Sequence, residues 1–380
     1  MRKIGCFVLL VCLLLGLALP SMAAELDVAG KSAILMDGAT GTVLYEKNSH
    51  EKLFPASVTK VMTMLLIMEA VDSGKISWND TVTASEAAAA KGGSQIFLKV
   101  GETMSVHDLV KSIAVSSAND AACAMAEHIA GSESAFVSLM NQRAAQLGMV
   151  NTHFVNCTGL DDSPEASEHY TSAYDIALMS RQLMVHHPDI TQFTTIWMDT
   201  VRDGTFGLAN TNKLIRFYPG AIGLKTGYTS KAGFCLSACA QRDDMMLIAV
   251  VLGAESSQDR FAACKSMLDY GFANYALIDP KLEKMSVPVK LGQSDQVEAI
   301  PAGDTKLLID KQQKNQVTTQ ITLEESVTAP VSQGQKLGTM TIRAGEQILA
   351  QIPLVAQTAV QRKTWGQIFW DVLRAMVMGG

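Results

Sequence analysis

The chain predicts an α/β (α+β) domain, an antiparallel sheet flanked by helices, followed by a small all-β domain and a terminal amphipathic helix. Three observations predict it. From Lys31 to about Asn274, alanine-rich helical stretches mix with a few apolar strand segments. From about Pro280 the chain turns to Val/Thr/Gln alternation punctuated by Gly292, Gly303, Gly334, Gly338 and Gly345, and near the C-terminus apolar residues fall three and four apart. The chain has 380 residues, too many for one ordinary core, so two domains are expected. The expected division is a leader over 1–24, a larger mixed domain over 25–277, an all-β domain over 278–360 and a helix over 361–380.

At the start, Arg2 and Lys3 precede an apolar run from Ile4 to Leu19, followed by Pro20-Ser21-Met22-Ala23-Ala24. This is the pattern of a secretory signal peptide, with cleavage after Ala23 or Ala24. The 16-residue run falls short of the about 20 that a membrane span needs. Val11 before Cys12 does not suit a lipoprotein. Work outside the cytoplasmic membrane is therefore expected.

In the larger domain, Ala33 to Met36 and Thr42 to Tyr45 flank a turn at Asp37-Gly38-Ala39-Thr40-Gly41, a strand, turn, strand signal. Val61, Met64, Leu65, Met68 and Val71, spaced three and four apart after Pro55-Ala56-Ser57, predict a buried helix entered at Ser57. Ser105 to Val115 and Asp120 to Ile129 read as two helices with Ser116 to Asn119 between them. Phe234 to Ala240 and Met246 to Leu252 read as a hairpin of buried strands, with Lys225-Thr226-Gly227 on or beside the strand before it. Beyond Pro280, segments such as Lys306 to Ile309, Thr319 to Leu323 and Thr339 to Ile342 are short strands. Trp365, Ile368, Phe369, Val372, Met376 and Val377 share a helical face opposite Gln367, Asp371 and Arg374. That suits a helix lying in a membrane surface, with Arg362 and Lys363 toward anionic head groups.

Loss of the leader removes two of the 31 basic residues and none of the 37 acidic, taking the formal charge from −6 to −8. Nothing here suggests nucleic acid as a partner. Five cysteines remain, Cys123, Cys157, Cys235, Cys239 and Cys264, which read as buried small hydrophobes. No zinc spacing appears, His186-His187 reads as a helix end, and neither a metal nor a cofactor is expected.

The chemistry rests on three short strings in order: Ser57-Val58-Thr59-Lys60, Ser117-Ala118-Asn119 and Lys225-Thr226-Gly227. Ser57 and Lys60, three apart on a helix, share a face, so the amine can take the hydroxyl proton. Burial and a neighbouring cation, with Lys225 the candidate, lower the pKa of such a lysine. A helix N-terminus beside Ser57 favours a developing oxyanion. Ser117 offers a hydroxyl for proton relay; Asn119 offers an amide to hold a substrate carbonyl or orient Lys60. Lys225 and Thr226 offer a cation and a hydroxyl for a carboxylate, and Gly227 leaves a bare strand edge for a peptide.

These blocks resemble those of the low-molecular-mass penicillin-binding proteins, specifically serine-type D-alanyl-D-alanine carboxypeptidases of peptidase family S11. Pro55 to Thr63, Ser117 to Ala121 and Gly223 to Thr229 carry the resemblance, with Gly159-Leu160-Asp161 and His169 to Asp175. It extends over about residues 25 to 380 and implies the penicillin-binding/β-lactamase-like transpeptidase fold. By that resemblance Ser57 is the acylated nucleophile, Lys60 the general base, and Ser117 and Asn119 the relay and positioning pair. Lys225 and Thr226 would face the substrate's terminal carboxylate beside Gly227 and Thr229, with Arg260 assisting. The backbone N–H groups of Ser57 and Tyr228 would form the oxyanion hole. Ala118 stands where glycine is common in the family and Tyr228 where histidine is common. The implied partners are a peptidoglycan stem peptide ending in D-Ala-D-Ala, β-lactams as covalent inhibitors, and a membrane surface met by the C-terminal helix.

Three rivals share parts of this pattern. A class A β-lactamase would need a Glu-x-x-Leu-Asn string between Asn119 and Lys225, and none is present. A β-lactam sensor would use the same pocket without turnover. A structural cell-wall protein would show eroded motifs, and Lys60, Asn119 and Lys225 are intact.

Overall fold

The computed structural model describes residues 26–378, so the leader expected over 1–24 lies outside the described residues. A five-stranded, fully antiparallel sheet organises the first part of the chain. Its strands are β1 (Ser32–Asp37), β2 (Val43–Lys47), β3 (Ala221–Thr229), β4 (Gly233–Arg242) and β5 (Met245–Ala254), in the spatial order β2-β1-β5-β4-β3. The first two strands and the later hairpin fall where the sequence placed them, and Lys225-Thr226-Gly227 lies within edge strand β3.

Period-two alternation divides the sheet's side chains between two cores. Ile34, Met36, Cys235, Cys239, Ile248, Val250 and Leu252 join one cluster, which takes in helices α1 (Lys60–Asp72), α2 (Val106–Ser116), α3 (Asn119–Ala130), α4 (Glu133–Gln146) and α5 (Ala173–His186). Ala33, Leu35, Leu236, Ala238, Leu247, Ala249 and Val251 join the other, closed by Cys264, Met267, Leu268 and Phe272 of α6 (Ser257–Asn274). Serine side chains at Ser105, Ser132, Ser172 and Ser256 accept from the first-turn N–H groups of α2, α4, α5 and α6, fixing where each begins. The five cysteines are buried and free, and His186 ends α5.

The buried helix expected after Ser57 is present: every residue from Lys60 to Leu65 is buried, so α1 runs through the core and carries Lys60 in with it. The α-helix starts at Lys60; Ser57 lies in the preceding 3₁₀ turn Ala56–Thr59.

After α6 come β6 (Tyr275–Ile278), β7 (Met285–Lys290), β8 (Gln296–Pro301), β9 (Leu307–Asp310), β10 (Val317–Leu323), β11 (Val327–Thr328), β12 (Lys336–Ala344) and β13 (Gln347–Ala356). Six of them form one sheet in the order β10-β12-β13-β8-β7-β11 over an apolar core that includes Val287, Leu337, Met340, Ile342 and Leu354. The expected boundary at 277/278 falls inside β6, which pairs antiparallel with β9. The last described element is α7 (Trp365–Met378), on which Trp365, Phe369, Val372 and Met376 are exposed rather than packed on the protein.

Candidate active site

Ser57 is held against the sheet edge by two bare backbones. Ala56 takes a left-handed φ of +47°, and beside it Gly159 approaches so closely that an added Cβ would lie 1.8 Å from the Ala56 carbonyl oxygen. From the sheet side, a Cβ on Gly227 would lie 2.7 Å from Pro55 O and 3.0 Å from Ser57 N. Glycine at 159 and 227 is thus what lets a loop and strand β3 pinch the Ser57 turn between them.

Lys60 Nζ donates to Ser57 Oγ at 2.9 Å and to the Thr158 carbonyl at 2.8 Å. The side chain is fully buried, and burial lowers its pKa to about 7. Lys225 is buried as well, and its pKa is pushed well down, first by burial and then by the charges of Lys60 and Arg260. The sequence expectation that Lys225 depresses Lys60 is corrected here: desolvation is the dominant cause, because α1 takes Lys60 into the core.

Ser117 and Asn119 sit where α2 passes into α3. Ser117 is the left-handed C-cap of α2 (φ +63°) and Asn119 opens α3, with Ala118 as the N-cap. Asn119 Nδ2 donates to Gly92 O at 2.7 Å, and its backbone N–H donates to Ser94 O at 2.7 Å. Its Oδ1 is buried with no protein partner. The free Oδ1 is an acceptor suited to an N–H, and the second N–H of Nδ2 is the donor for the substrate carbonyl expected from sequence. Asn119 does not orient Lys60; the Thr158 carbonyl does.

On β3, Thr226 Oγ1 donates to Thr211 Oγ1 at 2.6 Å, and Lys225 Nζ donates to Thr226 O at 3.0 Å. Thr229 Oγ1 accepts from Ala232 N–H and shapes the turn to β4. Tyr228 is exposed, its ring 4.3 Å from that of Phe234. Arg260 reaches β3 from α6, donating to Gly227 O at 2.8 Å and Cys235 O at 3.2 Å, with its guanidinium over Phe234 and Phe261. Ser57, Lys60 and Gly227 are thus directly brought together, while Arg260 contacts the strand's backbone.

Several supporting residues went unread in the sequence. Asn156 Oδ1 accepts from the N–H groups of Thr158 and Gly159 and its Nδ2 donates to Leu160 O, which shapes the loop that offers Thr158 O to Lys60. His169 accepts from Val155 N–H at Nδ1, so its proton is on Nε2 and points to Thr59 Oγ1, 2.8 Å away, which in turn donates to Ala56 O. Burial and the charges of His153 and Lys60 lower the His169 pKa to about 4, so the ring is neutral at pH 7. The signal that could have found these residues was the Gly159-Leu160-Asp161 and His169 to Asp175 blocks, read as resemblance without roles. Thr158 acts through its backbone, which no residue type announces. Among the described residues no cluster of His, Cys, Asp or Glu could hold a metal ion.

Comparisons with known proteins show the family. The family described as D-alanyl-D-alanine carboxypeptidase matches residues 20–256, and the penicillin-binding protein 5 C-terminal domain matches residues 272–362. The chain is 44% identical over 346 residues to D-alanyl-D-alanine carboxypeptidase DacF of Bacillus subtilis, covering 89% of this chain and 88% of that one. It superimposes on penicillin-binding protein 5 of Haemophilus influenzae with a TM-score of 0.76 at 30% identity, covering 90% of this chain and all of that one. Penicillin-binding protein D2 of Listeria monocytogenes, solved with cefotaxime bound, matches with a TM-score of 0.60 at 31% identity over 65% of this chain and 99% of that one. The chain belongs to the D-alanyl-D-alanine carboxypeptidases, serine-type hydrolases among the low-molecular-mass penicillin-binding proteins.

Proposed function

We propose that this enzyme removes the terminal D-alanine from peptidoglycan stem peptides ending in D-Ala-D-Ala through an ester on Ser57. The observation that carries the reading is a serine hydroxyl 2.9 Å from a fully buried amine whose pKa is about 7. Neutral Lys60 takes the Ser57 Oγ proton as Oγ attacks the carbonyl carbon between the two D-alanines. The C–N bond breaks, and the leaving amine gains a proton relayed through Ser117. Water then gives a proton to the same base and attacks the ester, and Ser57 Oγ recovers its proton as the acid leaves. The N–H groups of Ser57 and Tyr228 hold the carbonyl oxygen as charge builds on it.

Asn119 Oδ1 accepts a substrate amide N–H, which gives its unpartnered atom a bond. Lys225 and Thr226 take the terminal carboxylate; the arriving anion favours protonated Lys225, which burial disfavours in the empty site. Gly227 and Thr229 supply the strand edge for the peptide. Arg260 acts by bracing the Gly227 carbonyl, as its bonds are made there. A β-lactam acylates Ser57 in the same way, but its opened ring stays tethered to the acyl group and cannot leave as D-alanine does.

The same reading places the enzyme outside the cytoplasmic membrane, exported by residues 1–24, with a catalytic unit over 25–277, an all-β unit over 278–360 and an anchor over 361–380. The exposed apolar face of α7 supports a helix lying in the membrane surface. No helix among the described residues is long and apolar enough to cross a membrane. Lys363 is committed to Asp371 at 2.7 Å and to Asp295 at 3.7 Å, which leaves Arg362 as the cation for head groups. Deleting residues 362–380 should move the protein from the membrane fraction to the soluble one; retention in the membrane fraction would remove α7 as the anchor.

The catalytic test is D-alanine release from a D-Ala-D-Ala peptide by residues 24–361 and by the Ser57→Ala form. Release that vanishes with Ser57 supports the reading. Release that persists would remove Ser57 as nucleophile.

A further inference from the structure

We infer that Lys91 and Glu133 form an ionic clamp that positions Lys60 and Asn119 together, by joining the two loops whose carbonyls hold those side chains. The inference rests on the roles proposed for Lys60 and Asn119. Lys91 Nζ lies 2.5 Å from Glu133 Oε2. Lys91 immediately precedes Gly92, whose carbonyl accepts from Asn119 Nδ2. On the other side, Glu133 Oε1 accepts from the Cys157 backbone N–H and from its thiol, both at 3.2 Å. Cys157 immediately precedes Thr158, whose carbonyl accepts from Lys60 Nζ. The pair thus stands one residue from each carbonyl, and a continuous path runs Lys60, Thr158, Cys157, Glu133, Lys91, Gly92, Asn119.

The geometry gives the pair more than a surface role. Glu133 is the first residue of α4, whose Ser132 cap fixes the start of the helix, so the carboxylate is anchored on a rigid element. Both side chains are about four-fifths covered, and the carboxylate takes two further donors from Cys157. Bonds from Lys91 and Cys157 hold the Glu133 carboxyl below its ordinary pKa against the burial that opposes them, so it is charged at neutral pH. The other anchors of these loops lie elsewhere: Asp120 accepts from Ile96 and Leu98 N–H, and Thr63 Oγ1 donates to Cys157 O. Only the Lys91–Glu133 contact among those named here joins one loop to the other.

A shift of the Thr158 carbonyl moves Lys60 Nζ away from Ser57 Oγ, and misplacement of a reacting group by about 1 Å can cost about 100-fold in rate. The test is acylation by a fluorescent penicillin across pH, read as its limit at high pH, where Lys60 is neutral and only its placement matters. Glu133→Gln and Lys91→Met should each lower that limit by about 10- to 100-fold, and Lys91→Arg, which keeps the charge, should restore most of it. The double variant Lys91→Met/Glu133→Gln leaves no unpaired charge to burden folding and should remain as slow as the single variants. A limit within about twofold of the parent in the double variant, whatever its Tm, would overturn the clamp, because a merely structural pair would change melting and leave the limit alone. Lys60→Met assayed alongside separates the two readings: normal acylation there would mean the role of Lys60 fails, independently of the clamp.

Discussion

The two large sheets of this molecule handle polarity in opposite ways. Every fully buried polar or charged side chain among the described residues lies between Ser32 and Arg260, including Lys60, Asn119, Asp120, His169, Lys225 and Arg260. The sheet beyond Tyr275 is built on an apolar core of residues such as Val287, Leu337, Met340 and Leu354. Burying a charge costs free energy unless bonds replace the lost water, and an apolar side chain of similar volume is often at least as stabilising. The catalytic sheet bears that cost where α1 and β3 meet, and the C-terminal sheet bears less of it, at half-buried Arg343, whose Nε has no hydrogen-bond partner. The first region is thus shaped for reactivity at some expense of stability, the second mainly for stability.

Substitutions that remove the buried charges test that contrast first. Lys225→Met should lower the efficiency of D-alanine release by about 100- to 1,000-fold, the scale of losing one partner of a buried ionic contact, while Tm holds or rises. A drop in both would mean the amine stabilises the fold. Gly159→Ala attacks the packing around Ser57 instead: at φ +82° the new Cβ meets the Ala56 carbonyl at 1.8 Å, so penicillin acylation should fall about 10- to 100-fold and Tm should fall with it. Acylation at the parental rate would show that the Ser57 turn tolerates displacement.

The pH profile gives a smaller, graded effect. With Lys60 neutral only above a pKa of about 7, acylation should fall about tenfold per pH unit below that value and level off above it. The sign for stability runs the same way: the folded pKa lies below the ordinary 10.5, so the unfolded chain binds more protons between the two values, and stability rises with pH through that window. A profile flat from pH 5 to 8 would contradict Lys60 as base. The smallest catalytic effect belongs to the other sheet. Leu354→Ala, at a fully buried position, should cost about 2–5 kcal/mol of stability in a denaturant titration and leave penicillin acylation within about twofold. A large loss of acylation would couple the two regions.

What the sequence revealed follows from the same contrast. The unbroken apolar run of Met245–Ala254 and the alternation within Lys336–Ala344 were legible because burial alone sets their pattern. The residues proposed as nucleophile, base and carboxylate-facing pair stand out in the sequence because their side chains lie in short strings. Two kinds of feature were not. The burial of α1 on every side from Lys60 to Leu65 is decided by which elements surround it, and a spacing of three and four does not distinguish one covered face from all of them. The Thr158 and Gly92 carbonyls and the Lys91–Glu133 contact act through the backbone or across 42 positions, so local pattern holds no trace of them. For Asn119 the residue stands out in the sequence, but the unpartnered Oδ1 does not, because it follows from the Gly92 contact that fixes the amide's orientation.

The most direct test of a site that gives up stability for chemistry is Lys60→Met, measured for penicillin acylation and for Tm in the same preparation at pH 8. The expected result is acylation lowered by about 100- to 10,000-fold, the usual worth of a positioned general base, with Tm equal to or above that of the parent, since an amine that folding must strip of its proton and bury is replaced by an apolar side chain. Acylation at the parental rate, or a large fall in Tm accompanying its loss, would contradict it.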